Sequence, residues 1–229
     1  MDMHLFLLDF QWQDLLNPEF YILHGGLWVL VFILFAETGL FAGFFLPGDS
    51  LLFVAGIYSA NLAQQIIPAG NEWADLFVLW ILLSLSGIFG NFVGYWFGKR
   101  SGRFLYEKKD NFLYKKKYLL QATEFYEKYG GFAIIAARFV PIIRTFAPIV
   151  AGVVKMDWKK FILYNIIGCI SWVATMLLAG HFLYKWALTK GIDLKQHLDL
   201  IVIVIVLVST VPIIVKLISA KNENKKING

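Results

Sequence analysis

The chain is poor in charged residues and has a single cysteine. Charged side chains make up 16% of its 229 residues, whereas soluble domains average about 25%. One cysteine, Cys169, excludes an intramolecular disulfide and a thiolate metal cluster. Four scattered histidines without an HExxH pattern give no zinc motif, so we predict neither a metal nor another cofactor. Lys and Arg are absent from residues 1–98, which carry eight acids, while residues 99–229 carry all 21 basic residues.

Long uncharged apolar runs are the strongest feature that is present. Residues 76–97 and 161–184 contain no Asp, Glu, Lys or Arg for 22 and 24 residues, and a transmembrane helix needs about 20. A third run at 200–215 is shorter and is interrupted by Pro212. We therefore predict an all-α polytopic membrane protein with spans at about 74–98 and 160–184 and a last span near the C-terminus.

The basic residues predict the orientation of these spans. Many of them follow the first long run between residues 99 and 117, and loops rich in Lys and Arg stay on the cytoplasmic side. Residues 99–129 are therefore predicted to be a cytoplasmic amphipathic linker. Residues 187–229 are predicted to form an external loop, the last transmembrane helix and a basic cytoplasmic tail. Membrane topology explains the net charge of +5 better than nucleic-acid binding does, and we expect no nucleic-acid partner.

Residues 130–154 are apolar but are broken by polar residues and prolines. The interruptions are Arg138, Pro141, Arg144 and Pro148, and they leave arms of ten and nine residues. At about 1.5 Å per residue each arm reaches only half of a ~30 Å hydrocarbon core. Basic residues flank both ends of the region, which predicts a re-entrant helical hairpin open to the cytoplasm.

The N-terminal half has a similar region at about 36–62. Glu37 interrupts its first arm, a Pro47-Gly48-Asp49 turn follows, and an apolar arm at 50–63 is too short to cross. Each half then consists of a hairpin and a span, so we predict two opposed hairpins in inverted repeats, with a transport site near the midplane. The alternative is one full span followed by a short surface helix.

Four charged residues lie in or beside these apolar segments, and they are the candidate site residues: Glu37, Asp49, Arg138 and Arg144. A charged side chain deep in a bilayer costs roughly 2.5 to 3.5 kcal/mol on insertion scales, so such charges require pairing or water. Two acids in one hairpin and two arginines in the other have the right signs to compensate each other. Arginine binds two oxygens at once, which favours a phosphate or carboxylate ligand. Both Glu37 and Asp49 are candidates for proton coupling, and a purely stabilising ionic cluster is the alternative.

Other residues are predicted to support this site. Irregular backbone at membrane depth requires an enclosed, partly hydrated space, and helices that begin after the breaks need caps. These considerations select five supporting residues: Pro47, Gly48, Ser50, Pro141 and Thr145.

Helix packing accounts for the remaining small and polar residues of the spans. Gly90, Gly94 and Gly98 recur every four residues on one helix face and predict close helix packing. Asn165 and His181 are interpreted as hydrogen-bonding groups between helices, and Cys169 as a packing residue.

Several of these residues form an ordered series of motifs. It comprises Glu37, then FLPGDS at 45–50, GNFVGY at 90–95, RFVPIIRT at 138–145 and Ala-Gly at 151–152. The series resembles the DedA family of membrane proteins, also called the VTT or SNARE-associated domain family, over about residues 25–186. Residues 1–24 precede this domain.

The resemblance implies a bacterial inner-membrane protein with two opposed re-entrant hairpins that moves lipids between leaflets. Undecaprenyl phosphate or a phospholipid is the implied substrate. In members driven by the proton-motive force, acids and arginines act at the positions matched here by Glu37, Asp49, Arg138 and Arg144.

The sequence is compatible with four functions. The first is a translocase of an anionic lipid phosphate, with the membrane, the lipid and protons as partners and with homo-oligomerisation left open. The second is a proton-coupled antiporter of small cations or drugs, in which the acids bind the substrate. A membrane-embedded enzyme is disfavoured because no Ser-His, Cys-His or metal-ligand arrangement lies in the hairpins, and a scaffold role is the fourth.

Overall fold

The computed structural model describes residues 26–40, 48–66, 71–107, 124, 126 and 129–194. Within these ranges the chain forms helices joined by short connections and no strand, which confirms the all-helical prediction. The helices are α1 (Gly26–Gly39), α2 (Gly48–Ile57), α3 (Ser59–Ala63), α4 (Glu72–Glu107), α5 (Phe132–Ala137), α6 (Pro141–Val153) and α7 (Trp158–Thr189).

Two long helices, α4 and α7, contain the two predicted spans. In the described part of the chain, two helical segments are long and apolar enough to cross a membrane, namely Glu72–Gly102 of α4 and Trp158–Thr189 of α7. Both exceed the predicted spans at each end. Helix α4 continues through residue 107, so it extends into the predicted linker at 99–129. Most of that linker, residues 1–24 and the last predicted span with its basic tail lie outside the described residues.

The outer surfaces of the two long helices are apolar. On α4, exposed large hydrophobic side chains recur every four residues from Trp73 to Phe89, and Trp73 and Phe89 are 57% and 56% exposed. On α7, Leu163, Ile167 and Phe182 are likewise exposed. Rows of exposed apolar side chains like these are rare on soluble monomers and are typical of helices that face lipid.

The shorter helices pack on the long pair in a crossed pattern. Helix α1 packs on α4 and α2 packs on α7, whereas α5 packs on α7 and α6 packs on α4. Helices α4 and α7 also contact each other. At about 1.5 Å per residue, α1, α2 and α6 are roughly 15 to 21 Å long, which is shorter than a ~30 Å hydrocarbon core.

Glycines allow the closest of these helix contacts. A Cβ atom on Gly98 would overlap the carbonyl oxygen of Ile149 in α6, and one on Gly152 would overlap the carbonyl oxygen of Tyr95 in α4. Gly90 lies against Thr38 and the Phe35 carbonyl group of α1 in the same way. The backbones of α4, α1 and α6 therefore meet without side chains between them.

The interruptions predicted from the sequence differ from those observed. Helix α1 continues through Glu37 to Gly39, and α6 continues through Arg144 and Pro148. Only the stretch from Arg138 to Val140 separates α5 from α6. Pro141 opens α6, where proline is tolerated because the first turn lacks partners for its N–H groups. Pro148 deprives the Arg144 carbonyl group of its helical donor without ending the helix.

The supporting residue Thr145 does not cap α6. The residue that caps α6 is Val140, which has extended backbone and makes no side-chain hydrogen bond to the helix, whereas Thr145 lies within the helix. Asp49 lies in the first turn of α2, which begins at Gly48. An acid in that position interacts favourably with the positive end of the helix dipole.

Candidate functional site

Arg144 joins the two halves of the described chain through a buried ionic cluster. Its Nη2 atom pairs with Glu37 Oε1 and its Nη1 atom pairs with Asp49 Oδ1. The side chains of Arg144, Glu37 and Asp49 are 5%, 3% and 13% exposed. Three helices, α1, α2 and α6, thus contribute one charged group each, and one guanidinium pairs with both carboxylates.

Trp172 of α7 completes this arrangement. Its indole Nε1 donates a hydrogen bond to Asp49 Oδ1 over 2.9 Å, and the Arg144 guanidinium carbon lies 4.6 Å from the centre of its ring. A cation over an aromatic face is attracted by the ring quadrupole. Trp172 therefore orients both partners of the Arg144–Asp49 pair.

Gly48 gives the Glu37 carboxyl group its position. A Cβ atom at residue 48 would overlap Glu37 Oε2, so the carboxyl group lies directly against the start of α2. Any larger residue at position 48 would displace it. The Pro-Gly-Asp motif therefore contributes Gly48, which leaves room for the Glu37 carboxyl group, and Asp49, which is the second acid of the cluster.

Arg138 is placed differently from Arg144. It is 1% exposed, and its Nη2 atom donates to Asn165 Oδ1 over 2.8 Å. Within the described ranges it forms no ion pair with a carboxylate. It is nevertheless close enough for its charge to act on Glu37 and Arg144.

Asn165 belongs to a buried polar group between α4 and α7. Its Oδ1 also accepts a hydrogen bond from Asn91 Nδ2, and its Nδ2 donates to the Ile88 carbonyl group over 3.3 Å. Asn91 Nδ2 lies 3.4 Å from Cys169 Sγ. Asn91, Asn165 and Cys169 are all fully buried.

Three buried atoms of the charged residues lack a hydrogen-bond partner in the part of the chain that the structure describes. They are Glu37 Oε2, Arg138 Nη1 and Arg144 Nε. Most buried polar groups in proteins are hydrogen-bonded to protein or to ordered water. Two N–H donors on cations and one carboxylate oxygen therefore have no partner among the described residues, and donors of this kind suit an oxyanion.

The site residues predicted from the sequence divide into those that the structure brings together and those that it does not. Glu37, Asp49 and Arg144 are in direct contact, while Arg138 pairs with an amide instead of an acid. Ser50 and Thr145 are buried in α2 and α6. Pro141 begins α6, and Pro47 lies outside the described residues.

Sequence reasoning missed Trp172 and undervalued Asn165 and Asn91. The signal that was available is periodicity: Asn165, Gly168 and Trp172 are spaced by three and four residues, which places them on one face of a helix. Gly168 leaves room for Arg138, since an added Cβ would lie 3.2 Å from Arg138 Cγ. The described residues contain no group of His, Cys, Asp and Glu that would hold a metal ion.

The fold and the cluster define a class: a helical membrane protein with a buried ionic cluster where short helices from both halves of the described chain meet. A comparison with protein families identifies the family within that class. The VTT domain model matches residues 26–182, so the chain belongs to the VTT domain family, and the DedA resemblance is confirmed.

Individual relatives support this assignment. Protein DedA of Escherichia coli K12 is 36% identical over 224 residues, which are 96% of each chain. An uncharacterized membrane protein of Mycobacterium tuberculosis is 36% identical over 208 residues, covering 88% of this chain and 86% of the relative. Inner membrane protein YghB of Escherichia coli K12 is 29% identical over 175 residues, or 75% and 71% of the two chains. No solved structure matches the chain.

Proposed function

We propose that this protein is a transporter that moves an anionic lipid phosphate between the leaflets of the bacterial inner membrane. The headgroup binds at the buried cluster through its arginines while the tails remain in the lipid. The observation that carries the proposal is that Arg138 and Arg144 are both buried and both retain an N–H donor without a partner among the described residues.

The arrangement of the short helices supports a transport architecture. The two halves make equivalent contacts if α1 corresponds to α5, α2 to α6 and α4 to α7. In the first half α1 packs on α4 and α2 packs on α7. In the second half α5 packs on α7 and α6 packs on α4. We infer that the two short-helix units are re-entrant hairpins in inverted repeats. In transporters built this way the substrate site lies where broken helices of the two repeats meet.

The pairing of the charges, not their sum, supports an anionic substrate. Glu37 and Asp49 are both engaged by Arg144, so the acids are occupied, whereas the charge of Arg138 faces an amide. A cation or drug that used the acids as ligands would first have to displace Arg144. An anion needs only to approach Arg138, and this difference favours the lipid phosphate over a small cation.

Proton coupling follows as the second part of the proposal. Protonation of Glu37 or Asp49 removes one of the two negative charges that hold Arg144, which releases a guanidinium donor to the arriving phosphate. Loss of that proton restores the ion pair and expels the anion. A proton gradient then biases the direction in which the lipid moves.

The test is movement of a fluorescent polyprenyl phosphate across liposomes that contain the purified protein, with and without a pH gradient. We expect gradient-sensitive movement that is lost in Arg144→Ala and in Glu37→Gln. Arg100→Ala is the matched control, because Arg100 lies over the Trp96 ring outside the cluster and its loss should leave the rate unchanged.

Three results would count against the proposal. One is an absence of lipid movement by well-folded protein, especially if a pH-sensitive dye detects proton exchange for a small cation. That result would favour antiport. Equal activity of the two cluster variants and the control would show that the cluster is only structural. Movement that is the same with and without the gradient would remove the proton-coupling part alone.

A further inference from the structure

The two arginines of the site have different electrostatic surroundings. Arg144 faces two carboxylates and an aromatic ring. Arg138 is more deeply buried, and its hydrogen-bond partner in the described part of the chain is the neutral amide of Asn165. A buried arginine is ordinarily paired with an acid, since an uncompensated charge in a low-dielectric interior is costly. An amide in this place keeps the guanidinium oriented without pairing it directly with a negative charge. Glu37, which acts on Arg138 electrostatically, is paired with Arg144.

The Asn165 amide is itself held in place by α4. Its oxygen accepts hydrogen bonds from both Arg138 Nη2 and Asn91 Nδ2, and its nitrogen donates to the Ile88 carbonyl group over 3.3 Å. These contacts fix the rotation of the amide. They also account for the choice of asparagine, because an aspartate would pair with Arg138 and could not donate to Ile88.

We propose that Asn165, held by Asn91, is a positioning residue that keeps Arg138 as the principal phosphate-binding cation of the site, while Arg144 stays paired with at least one of the two acids. The Nη1 atom of Arg138, buried and without a partner in the described ranges, is the donor that meets the phosphate oxygens. This inference rests on the proposed function, since it assigns the ligand-binding role within the same site. The recognised chemistry is a phosphate oxyanion, whether it belongs to a lipid headgroup or to free phosphate.

The experiment measures ligand-dependent thermal stabilisation of the full-length protein in neutral detergent. A ligand that binds the folded state raises the unfolding temperature, and the stabilisation grows with the logarithm of one plus the ratio of ligand concentration to Kd. Decyl phosphate is the lipid-like probe and inorganic phosphate is the soluble one, with decyltrimethylammonium as the opposite-charge control. A shift with decyl phosphate alone identifies a lipid headgroup, and equal shifts with both phosphates identify free phosphate.

Asn165→Asp is the decisive variant. It preserves the shape of the side chain but adds a carboxylate that neutralises Arg138. We expect the protein to remain folded and its apparent affinity for decyl phosphate to fall about tenfold or more, which is the range for losing a charge-assisted contact. Asn71→Asp is the matched control, because it makes the same chemical change at an exposed amide whose oxygen accepts from the Trp73 backbone N–H.

The outcomes separate this inference from the proposed function. If decyl phosphate does not stabilise the wild type, the phosphate site itself is refuted. If it stabilises the wild type and Asn165→Asp equally, the positioning role is overturned while the proposed function stands. Should Asn165→Asp fail to fold, Asn91→Ala tests the same role, since it retains the Arg138–Asn165 contact and removes its support. Unchanged affinity in a folded Asn91→Ala variant would overturn the inference.

Discussion

Trp172 has two separable roles at the cluster, one through its ring and one through its N–H group. The ring lies under the Arg144 guanidinium, while Nε1 donates to Asp49. Phenylalanine retains an aromatic face but has no donor. A substitution by phenylalanine therefore removes the hydrogen bond to a carboxylate and leaves most of the packing.

Trp172→Phe is expected to lower transport and to reduce the free energy of unfolding by roughly 1.5 to 3 kcal/mol, the usual range for a hydrogen bond to a charged group. The measurements are lipid movement in liposomes and unfolding in mixed detergent micelles. Trp80→Phe is the control, because the Trp80 indole donates to the neutral Ile170 carbonyl group over 3.0 Å. It should cost about 1 kcal/mol and leave transport intact. Equal losses of transport in the two variants would contradict a specific role for Trp172.

The identity of the charged residues was predictable from the sequence, but their partners were not. Charges in apolar segments are rare and costly, so Glu37, Arg138 and Arg144 stand out in any reading of the chain. Which guanidinium meets which carboxylate depends on the rotation of α6 and on the position of α5. No local pattern gives either quantity, and for this reason the pairing of Arg138 with Asn165 was missed.

At the scale of helices, glycines control how closely α4 meets its neighbours. Three glycines at four-residue spacing were predicted to pack, and the structure gives them unequal surroundings. A Cβ at Gly98 would overlap the Ile149 carbonyl oxygen, whereas one at Gly94 would lie 3.5 Å from both Ile149 and Pro148 side chains. The first is a backbone contact that cannot yield, and the second is ordinary van der Waals contact.

Gly98→Ala should therefore destabilise the protein by roughly 1 to 3 kcal/mol, as expected when a methyl group is forced into a packed contact. The effect should reach the cluster, because α6 carries Arg144 and would move away from α4. Gly87→Ala is the control on the same helix, where the added Cβ would meet only Cys169 Sγ at 3.5 Å. It should be neutral or stabilising by up to about 1 kcal/mol through helix propensity. Unfolding in mixed micelles checks both, and a Gly98→Ala variant as stable as Gly87→Ala would contradict this packing model.

Helix breaks were only partly readable from the sequence. Proline was expected to interrupt residues 130–154 at two places, yet Pro141 begins a helix and Pro148 lies inside one. The physical reason is that proline is compatible with the first turn, and that tertiary contacts with α4 offset its cost in the interior. Helix existence was predictable from hydrophobicity, whereas the boundaries depended on contacts between distant segments.

For the whole molecule, the crossed packing of short helices on α4 and α7 sets an expectation for topology. If the two halves are inverted repeats, the connections after α2–α3 and after α6 lie on opposite faces of the membrane. Gln64 follows α3 and Lys155 follows α6, and both are exposed. Basic residues next to Lys155 predict, under the positive-inside rule, that this connection lies on the cytoplasmic side.

Single cysteines at these two positions test that topology, in a Cys169→Ser background because Cys169 is the chain's one native thiol. In intact inner-membrane vesicles of known orientation, a membrane-impermeant maleimide should label Gln64→Cys from the periplasmic face and Lys155→Cys from the cytoplasmic face. Each variant should be labelled from both sides after permeabilisation, which controls for accessibility. Labelling of both cysteines from one face would refute the inverted repeat. The site would then have to be reached from a single side, and alternating access of the cluster to the two leaflets would lose its structural basis.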